Sequence, residues 1–558
     1  MLRTTMITAE GGATLCALVV HVIFNRVEPR NKTVWFLLLV CLPICLGLGL
    51  HSFYASLFVS VFKTLLIFIG SLLSSLIIYR LSPLHPLYGF PGPVLLRISR
   101  LASFKILFTG KQHEIYQQLH EKYGPYVRTG PNHLHISDAQ AIPYIMNSPR
   151  CLKSERYNAV KREDSHARGL LGIVDPKEHS RRRRLWDRGL NTSALKGYQP
   201  LLTNRINQFV ETLRRESSSN ESIDLAKWIA FFSLDFMGDL AWGGVFHSME
   251  DGNDVNGLLN LSQTVTKIHE TAGTIPWTRL FYEYLPVSKK TIQQLSFAKR
   301  TVLDRIKRGC GETPDLFMYL LGEHDDTIDE PLSLPALVLE TSFALIAGTD
   351  TSAMTLANSF FYLLSYPDTL SRLTSEIDAL NDDLNPNALA GLPYLNAVLN
   401  ETLRLQPVVP NGVQRVLLPG PSGKGVVVDD RYIPPRTNLQ ISPYCVQRDP
   451  LNFSPHSHCF WPDRWLPNIQ DSLRGNDKAE FRHNEQAFFP FSYGPTACAG
   501  KSLALMEMRA VLSTVLSKFE LAFADGWNPA EWEHNLKDFY TLRGGPLPIV
   551  LVPRKVAS

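Results

Sequence analysis

Near the C-terminus a single cysteine, Cys498, lies between two glycines and directly before a predicted helix that begins at Lys501. The glycines, Gly494 and Gly500, let the backbone pass close to a flat ligand and allow the positive φ that a turn can require. The helix directs its positive end at the sulfur, which favours a thiolate. A thiolate on the iron of a flat macrocycle favours O–O cleavage. The loop predicts such a ligand; a buried structural cysteine is the alternative.

A second pattern combines a predicted helix with a downstream arginine. Residues 394–405 have helical spacing and stop before Pro407, with Glu401 and Arg404 on the side opposite the apolar stripe. That stripe consists of Leu395, Val398, Leu399 and Leu403. Arg464 lies downstream in a loop rich in aromatic residues and proline, an unusual place for a solvated charge. An ordinary surface ion pair between Glu401 and Arg404 is the alternative interpretation.

Together these patterns resemble the cytochrome P-450 family of haem-thiolate monooxygenases, from about Pro83 to the C-terminus. The resemblance implies a mainly α fold with a minor β part, in which a long central helix lies over haem b (iron protoporphyrin IX). It also implies that Cys498 is the axial metal ligand and that Phe491 shields it, with Gly494 and Gly500 as turn glycines. The family's buried charge triad matches Glu401, Arg404 and Arg464.

One position departs from the family pattern. The family usually has a basic residue two positions before the cysteine, where it pairs with a haem propionate, and this chain has Thr496. A threonine hydroxyl donates a hydrogen bond but carries no charge. By resemblance, the propionate contacts are expected from His179 and Arg183, one helical turn apart, and from Arg415.

The resemblance assigns oxygen chemistry to a long predicted helix over residues 334–365, bounded by Pro335 and Pro367. The middle of this helix, residues 347–352, is a run of poor helix formers, and such breaks are expected where function requires them. In the family this is the kink over the haem. Asp350 and Thr351 are the implied catalytic residues, which deliver protons to the distal oxygen, and Gly348 gives room for dioxygen. A polar helix face with a tolerated glycine is the alternative.

The N-terminus contains apolar stretches at residues 12–24, 34–50 and 55–78. The last is long enough to cross a bilayer, which takes about 20 residues. Arg26, Arg30 and Lys32 follow the first stretch, and Arg80 follows the third. The positive-inside rule then places the catalytic domain in the cytosol and allows three crossings or one. We therefore predict a membrane region at 1–80, a proline-rich hinge at 81–93 and a haem-thiolate catalytic domain at 94–558.

Short strands are predicted at about residues 123–131, 134–137, 426–433 and 547–552, around a mostly helical interior. The net charge of +4 is too small to indicate a nucleic-acid partner. The basic run 181–184 has two interpretations, a solvated helix face or a docking patch for an acidic electron donor.

We therefore predict a monooxygenase of the endoplasmic reticulum membrane that inserts one atom of O2 into a lipophilic small molecule, such as a terpenoid of fungal secondary metabolism. The apolar residues of the implied pocket segments, which favour such a substrate, are Phe231, Phe232, Phe236, Val408, Val409 and Val413. The alternative for the phenylalanines, which have helical spacing, is a place in the packed core. Electrons would come from NADPH through a separate reductase, with cytochrome b5 as a second donor, because the chain has no flavin or nicotinamide fingerprint. The alternatives are a haem-thiolate isomerase or dehydratase that does not use O2, and a non-catalytic membrane-anchored haem-binding protein. Asp350 and Thr351 argue against the isomerase.

Overall fold

The computed structural model describes residues 2–554 except 28, 30, 159–167, 255–256, 276–287, 310, 312, 323–330 and 382. Arg30, used above for membrane orientation, lies outside the described residues. The chain divides into two compact units. The smaller comprises Met1–Ser103 and Arg128–Asn132, and the larger comprises Phe104–Val127 and His133–Ser558. Helices dominate and the strands are short, which confirms the predicted mainly α class with a minor β part.

The smaller unit contains the apolar N-terminal helices. Their bounds are Leu2–Arg26, Lys32–Phe36, a π-helical turn at Leu37–Cys41, Leu42–Gly49, Leu57–Leu81 and Val94–Ile98. Within the described residues two stretches, Lys32–Gly49 and Leu57–Leu81, are long and apolar enough to cross a membrane. The first predicted stretch forms part of the helix Leu2–Arg26, whose Ala17 and Val20 pack with Phe68 of the helix Leu57–Leu81. The hinge was predicted at 81–93, and the preceding helix extends to Leu81. Residues 82–93 contain no helix and include successive turns.

The larger unit is built from helices around one extended apolar core. Their bounds are Ala102–Thr109, Gln112–Tyr123, Ala141–Met146, Pro176–Gly189, Thr192–Ser219, Leu225–Trp242, Ser248–Asp251, Leu258–Thr274, Lys289–Arg308, Leu316–Leu321, Leu334–Ser365, Pro367–Asp378, Pro386–Gly391, Pro393–Leu405, Pro443–Val446, Ile469–Ser472, Asn476–Glu480, Lys501–Lys518 and Ala530–Asn535. We call Leu334–Ser365 the central helix. It stays helical through residues 347–352, where the Thr351 hydroxyl donates to the Ala347 carbonyl one turn earlier.

The strands form small sheets. Their bounds are β1 Tyr126–Gly130, β2 His133–Ile136, β3 Cys151–Lys153, β4 Ile223–Asp224, β5 Gln414–Leu417, β6 Val426–Val428, β7 Arg431–Ile433, β8 Asn438–Ile441, β9 Phe453–Ser454, β10 Arg482–His483, β11 Phe519–Phe523, β12 Lys537–Phe539, β13 Thr541–Arg543 and β14 Pro548–Pro553. In the larger unit, β2 pairs in parallel with β8, and β5 lies antiparallel between β8 and β3. β11 pairs antiparallel with β14, and β14 with β4. The β3–β5 pair places Lys153 opposite Arg415, which matters for the site below.

Candidate active site

The cysteine loop precedes the helix Lys501–Lys518 and is closed by the Cys498 N–H, which donates to the Phe491 carbonyl at 2.9 Å. Gly494 has a φ of +75°, and a Cβ there would lie 2.7 Å from the Met146 carbonyl oxygen. Glycine is thus required at 494 by both backbone conformation and space. Gly500 has a φ of −84°, which any residue adopts, so the expected positive φ is absent there. A Cβ on Gly500 would meet no protein atom within 4 Å.

The Cys498 side chain is exposed, although protein surrounds it closely enough to change its acidity. Burial raises the pKa of the thiol. The N–H groups of Gly500 and Lys501 and the charge of Arg183 oppose that rise without overcoming it. The helix end therefore favours the thiolate, as the sequence predicts, but is not sufficient by itself. A metal ion bound to the sulfur would complete the deprotonation.

Four basic side chains lie around the cysteine loop, and we call them the cation cluster: Lys153, His179, Arg183 and Arg415. Arg183 Nη1 donates to the carbonyl of Ala497. Burial, followed by the charge of Arg415, lowers the pKa of Lys153 to about 7. Burial, followed by the charges of Lys153, Arg183 and Arg415, lowers the pKa of His179 to about 4. The members therefore repel one another, and the cluster has an excess of positive charge.

Anionic partners of the cation cluster are few. Arg183 Nε donates to Asp187, whose side chain is 54% exposed. Lys153 Nζ donates to the carbonyls of Leu170 and Leu171, each at 3.0 Å. The buried Glu340 opposes the lowering of the Lys153 pKa but is hydrogen-bonded to Arg182. Arg415 is buried, and its Nε has no hydrogen-bond partner within the described part of the chain. An unpaired buried donor beside an uncompensated charge is the arrangement that an anionic ligand would complete.

Arg415 also explains the departure at Thr496. Its Nη2 donates to the Thr496 hydroxyl, so a guanidinium lies directly beside the position where the family has its own basic residue. Burial lowers the pKa of Arg415, as expected for a charge that lacks a carboxylate partner. The missing charge at position 496 is thus supplied from β5, which is remote in sequence.

The predicted charge triad is assembled, and we call it the Glu401 triad. Glu401 accepts from Arg404 Nε at 2.8 Å and from Arg464 Nε at 3.1 Å, and all three side chains are buried. The Trp461 N–H and the Trp465 ring N–H donate to the same carboxylate. Burial would raise the pKa of Glu401, but the two arginines outweigh it and lower the pKa. The carboxylate is therefore held ionised at the centre of the group.

Asp350 on the central helix faces two residues that the sequence analysis did not single out. Its Oδ2 accepts from the Ser262 hydroxyl and lies 3.7 Å from Arg543 Nη2. Burial raises the pKa of Asp350, while Ser262 and Arg543 oppose the rise. Only the folded chain brings Ser262, from the helix Leu258–Thr274, and Arg543, from β13, to this carboxyl group, so no sequence signal could have identified them.

Thr351 follows Asp350 but makes a different contact. Its hydroxyl donates to the Ala347 carbonyl at 2.7 Å within the central helix. The structure therefore does not join the two side chains by a direct hydrogen bond. At Gly348 a Cβ would lie 2.4 Å from Met237 Sδ, so close packing against the helix Leu225–Trp242 is one reason for glycine there.

The phenylalanines expected in the substrate pocket belong to the core instead. Phe231, Phe232 and Phe236 are each at most 4% exposed, and Phe232 packs on Phe209 with ring centroids 5.2 Å apart. Val408 also lies in this core, whereas Val409 and Val413 are half-buried. Phenylalanines at helical spacing here reflect helix packing, so they are not evidence for an apolar pocket.

Most of the basic run 181–184 is paired. Arg181 and Arg182 both bond to Glu178, and Arg182 Nη1 also reaches the buried Glu340 at 3.0 Å. Arg183 points to the cysteine loop, as described above. Three of the four arginines are thus held by acceptors of the larger unit, which leaves little charge for a docking patch.

Comparison with known proteins agrees with this geometry. The family described as Cytochrome P-450 matches residues 89–542. The chain is similar to cytochrome P-450 67 of Uromyces fabae, with 32% identity over 96% of this chain and 97% of the relative. It is also similar to cytochrome P-450 monooxygenase FCK2 of Fusarium pseudograminearum, with 32% identity over 87% and 85%. Cytochrome P-450 monooxygenase nodW of Hypoxylon pulicicidum is 29% identical over 98% of both chains.

Proposed function

The chain belongs to the cytochrome P-450 family, and we propose that it is a haem-thiolate monooxygenase that inserts one atom of O2 into a lipophilic small molecule. The family match and the monooxygenases among its relatives confirm the resemblance of the motifs. The cofactor of the family is haem b, which when bound through a thiolate supplies the activation of O2.

The residues around Cys498 fit that cofactor. The sulfur is accessible, and the position of a Gly500 Cβ is open, which leaves room for a flat macrocycle next to the loop. The unpaired Nε of the buried Arg415 is the observation that carries the assignment, because a propionate would satisfy it. His179, Arg183 and Arg415 would hold the propionates, and Phe491 would shield the sulfur.

For the central helix we propose a proton-handling role. Asp350 carries a raised pKa and lies at a half-buried position, so its carboxyl group can exchange protons with solvent and hold one near the site. The Thr351 hydroxyl, which donates to Ala347 in the protein alone, would turn to donate to the reacting oxygen. General acid assistance of this kind contributes about 10²–10⁴ in rate.

The substrate class and cellular context are part of the proposal. Two apolar stretches long enough to cross a bilayer support a membrane-anchored enzyme whose substrate dissolves in the lipid. We propose the endoplasmic reticulum membrane, a cytosolic catalytic domain and electrons from NADPH through cytochrome P-450 reductase or cytochrome b5. We also propose a fungal secondary metabolite, for example a terpenoid, as the substrate, since the chain is similar to cytochrome P-450 monooxygenases of fungi.

Ligation is tested with Cys498→Ser. The variant should lose the red-shifted CO band typical of a thiolate ligand and all oxygenase activity. Cys459→Ser is the matched control, because Cys459 is also exposed and its backbone carbonyl, not its thiol, takes part in the structure through Arg404. A thiolate-type CO band that survives in Cys498→Ser would overturn the assignment.

Proton delivery is tested with Thr351→Ala in the haem-loaded protein with reductase. Haem content and substrate binding should persist, while NADPH consumption yields hydrogen peroxide instead of product. Metabolite profiling of a null host that co-expresses the chain and a reductase would identify the product. If Thr351→Ala forms product at the wild-type ratio to NADPH, the proton-delivery role is wrong and an O2-independent reaction is favoured.

A further inference from the structure

A groove runs along one face of the smaller unit, between the helices Leu2–Arg26 and Leu57–Leu81. Its volume is about 820 Å³, within the ~300–1,000 Å³ typical of small-molecule sites. The lining residues are Thr14, Leu18, His21, Leu66, Ile67, Gly70, Ser71, Ser74, Ser75, Ile78, Tyr79, Ser82 and Leu84. The groove is independent of the proposed catalytic function, since every lining residue belongs to the N-terminal helices and the turn that follows them.

Two polar pairs join the helices along this groove. The Thr14 and Ser71 hydroxyls lie 3.2 Å apart, and His21 Nδ1 lies 2.5 Å from the Ser75 hydroxyl. In a bilayer each polar group must find its partner within protein or ligand, because no water is available there.

His21 has one polar atom left over. The side chain is 8% exposed, and Nε2 has no hydrogen-bond partner within the described residues. Nδ1 is already used by Ser75, so any further partner must approach Nε2. A buried, unpaired imidazole nitrogen in the wall of a groove marks the place where a ligand would present a single polar group.

The other lining residues define the rest of that ligand. None of them is charged, which disfavours a fatty-acid carboxylate or a phospholipid headgroup. The groove is open at Gly70, because a Cβ there would meet no protein atom within 4 Å. We propose that this groove binds a neutral, rigid lipid of sterol size, whose one hydroxyl or carbonyl group bonds to His21 Nε2.

The proposal is tested by photolabelling the full-length haem-loaded protein in lipid nanodiscs with a photoactivatable cholesterol. Gly70→Leu places a side chain in the groove at a position where a Cβ meets no protein atom within 4 Å, and it should lower labelling of the two helices at least about tenfold. Gly49→Leu is the matched control: a Cβ at Gly49 also meets nothing within 4 Å, but this glycine does not line the groove. The CO band should be unchanged in both variants. Equal labelling of wild type and Gly70→Leu, or an equal loss in both variants, would overturn the proposal.

The hydrogen bond is tested by competition. Unlabelled cholesterol should displace the probe, and cholestane, which lacks the hydroxyl, should do so roughly 5–10-fold less well. His21→Phe should abolish that difference. Equal competition by oleate would contradict the neutral-ligand assignment.

If Gly70→Leu does not insert into the membrane, Ser74→Leu fills the same groove from an exposed position. Unchanged lipid labelling together with lost self-association would show that a second helix, and not a lipid, covers the groove.

Discussion

The Glu401 triad and the cation cluster both contain buried or half-buried basic side chains of the larger unit, but different groups neutralise them. In the triad a carboxylate lies between two guanidiniums, and backbone carbonyls accept most of the remaining N–H groups. Among the described residues Arg464 Nη1 has no hydrogen-bond partner, and the Arg464 guanidinium lies over the Trp461 ring. In the cation cluster four permanent or potential charges meet, with the exposed Asp187 at their edge. The buried Glu340 also acts on Lys153, but it is paired with Arg182.

The two regions also differ in the direction in which their surroundings shift the pKa values of their ionisable groups. The arginines lower the pKa of Glu401, so the triad stabilises its own charged state. In the cluster, burial and mutual repulsion lower the pKa values of Lys153 and His179, so the cluster resists being charged until an anion arrives. A buried group that carries its own counter-ion is structural, and one that lacks it is prepared for a ligand.

The largest effect is expected from Glu401→Ala. Removal of the carboxylate leaves two buried guanidiniums without their partner, and breaking such a group from one side costs about 3–5 kcal/mol. The variant should yield little or no protein that binds haem, as measured by the CO band and by thermal unfolding. Glu211→Ala is the control, because Glu211 forms an exposed pair with Arg214. A normal yield of haem-bound Glu401→Ala would show that the triad, like the cation cluster, is not required for folding.

Arg415→Met should have the next largest effect, on haem affinity and not on folding. The substitution removes the donor expected to reach a propionate, and a hydrogen bond to a charged group contributes about 1.5–3 kcal/mol. Haem should therefore dissociate roughly 10- to 100-fold faster to an acceptor protein, while the unfolding temperature of the haem-free protein stays equal or rises. A drop in that temperature without faster haem loss would make Arg415 a structural residue like those of the triad.

Lys153 should make both haem binding and the stability of the haem-free protein depend on pH. A bound carboxylate stabilises the charged lysine and raises its pKa, so haem binding should take up a proton. The association constant should therefore fall as the pH rises above about 7, by at most ~10-fold per pH unit. In the haem-free protein the lysine pKa lies below its unfolded value, so stability should increase from pH 7 towards 10.5. Lys153→Met should abolish both trends, and a pH-independent wild type would rule out this role.

The smallest effect is expected from Thr496→Arg, which restores the residue usual in the family. Because Arg415 already lies beside Thr496, the added charge should meet repulsion and change haem affinity by only about 1 kcal/mol or less. In the Arg415→Met background the same substitution should restore most of the lost affinity. A large gain from Thr496→Arg alone would mean that Arg415 does not supply the charge missing at 496.

The sequence predicts each region to a different extent. Spacing alone predicted Glu401 and Arg404 as an ion pair one helical turn apart and left its burial open. The resemblance to the family joined Arg464, in its aromatic loop, to that pair. Lys153 was not predictable, since a lysine in a three-residue strand has no local signal of burial; its place follows from the pairing of β3 with β5. Helical spacing is the same for a core face and for a pocket wall. The sequence therefore could not decide between these two positions for Phe231, Phe232 and Phe236.

The sequence by itself determined the cysteine loop and its helix, the long central helix, the spacing of Glu401 and Arg404 and the apolar N-terminal stretches, because each depends on contacts or periodicities within a few turns of chain. Only the tertiary structure decided which charges remain uncompensated. Arg415 reaches Thr496, Arg182 reaches Glu340, and Asp350 meets Ser262 across large sequence separations. Whether a buried charge is neutralised depends on every element packed around it, and local sequence carries no information on that packing.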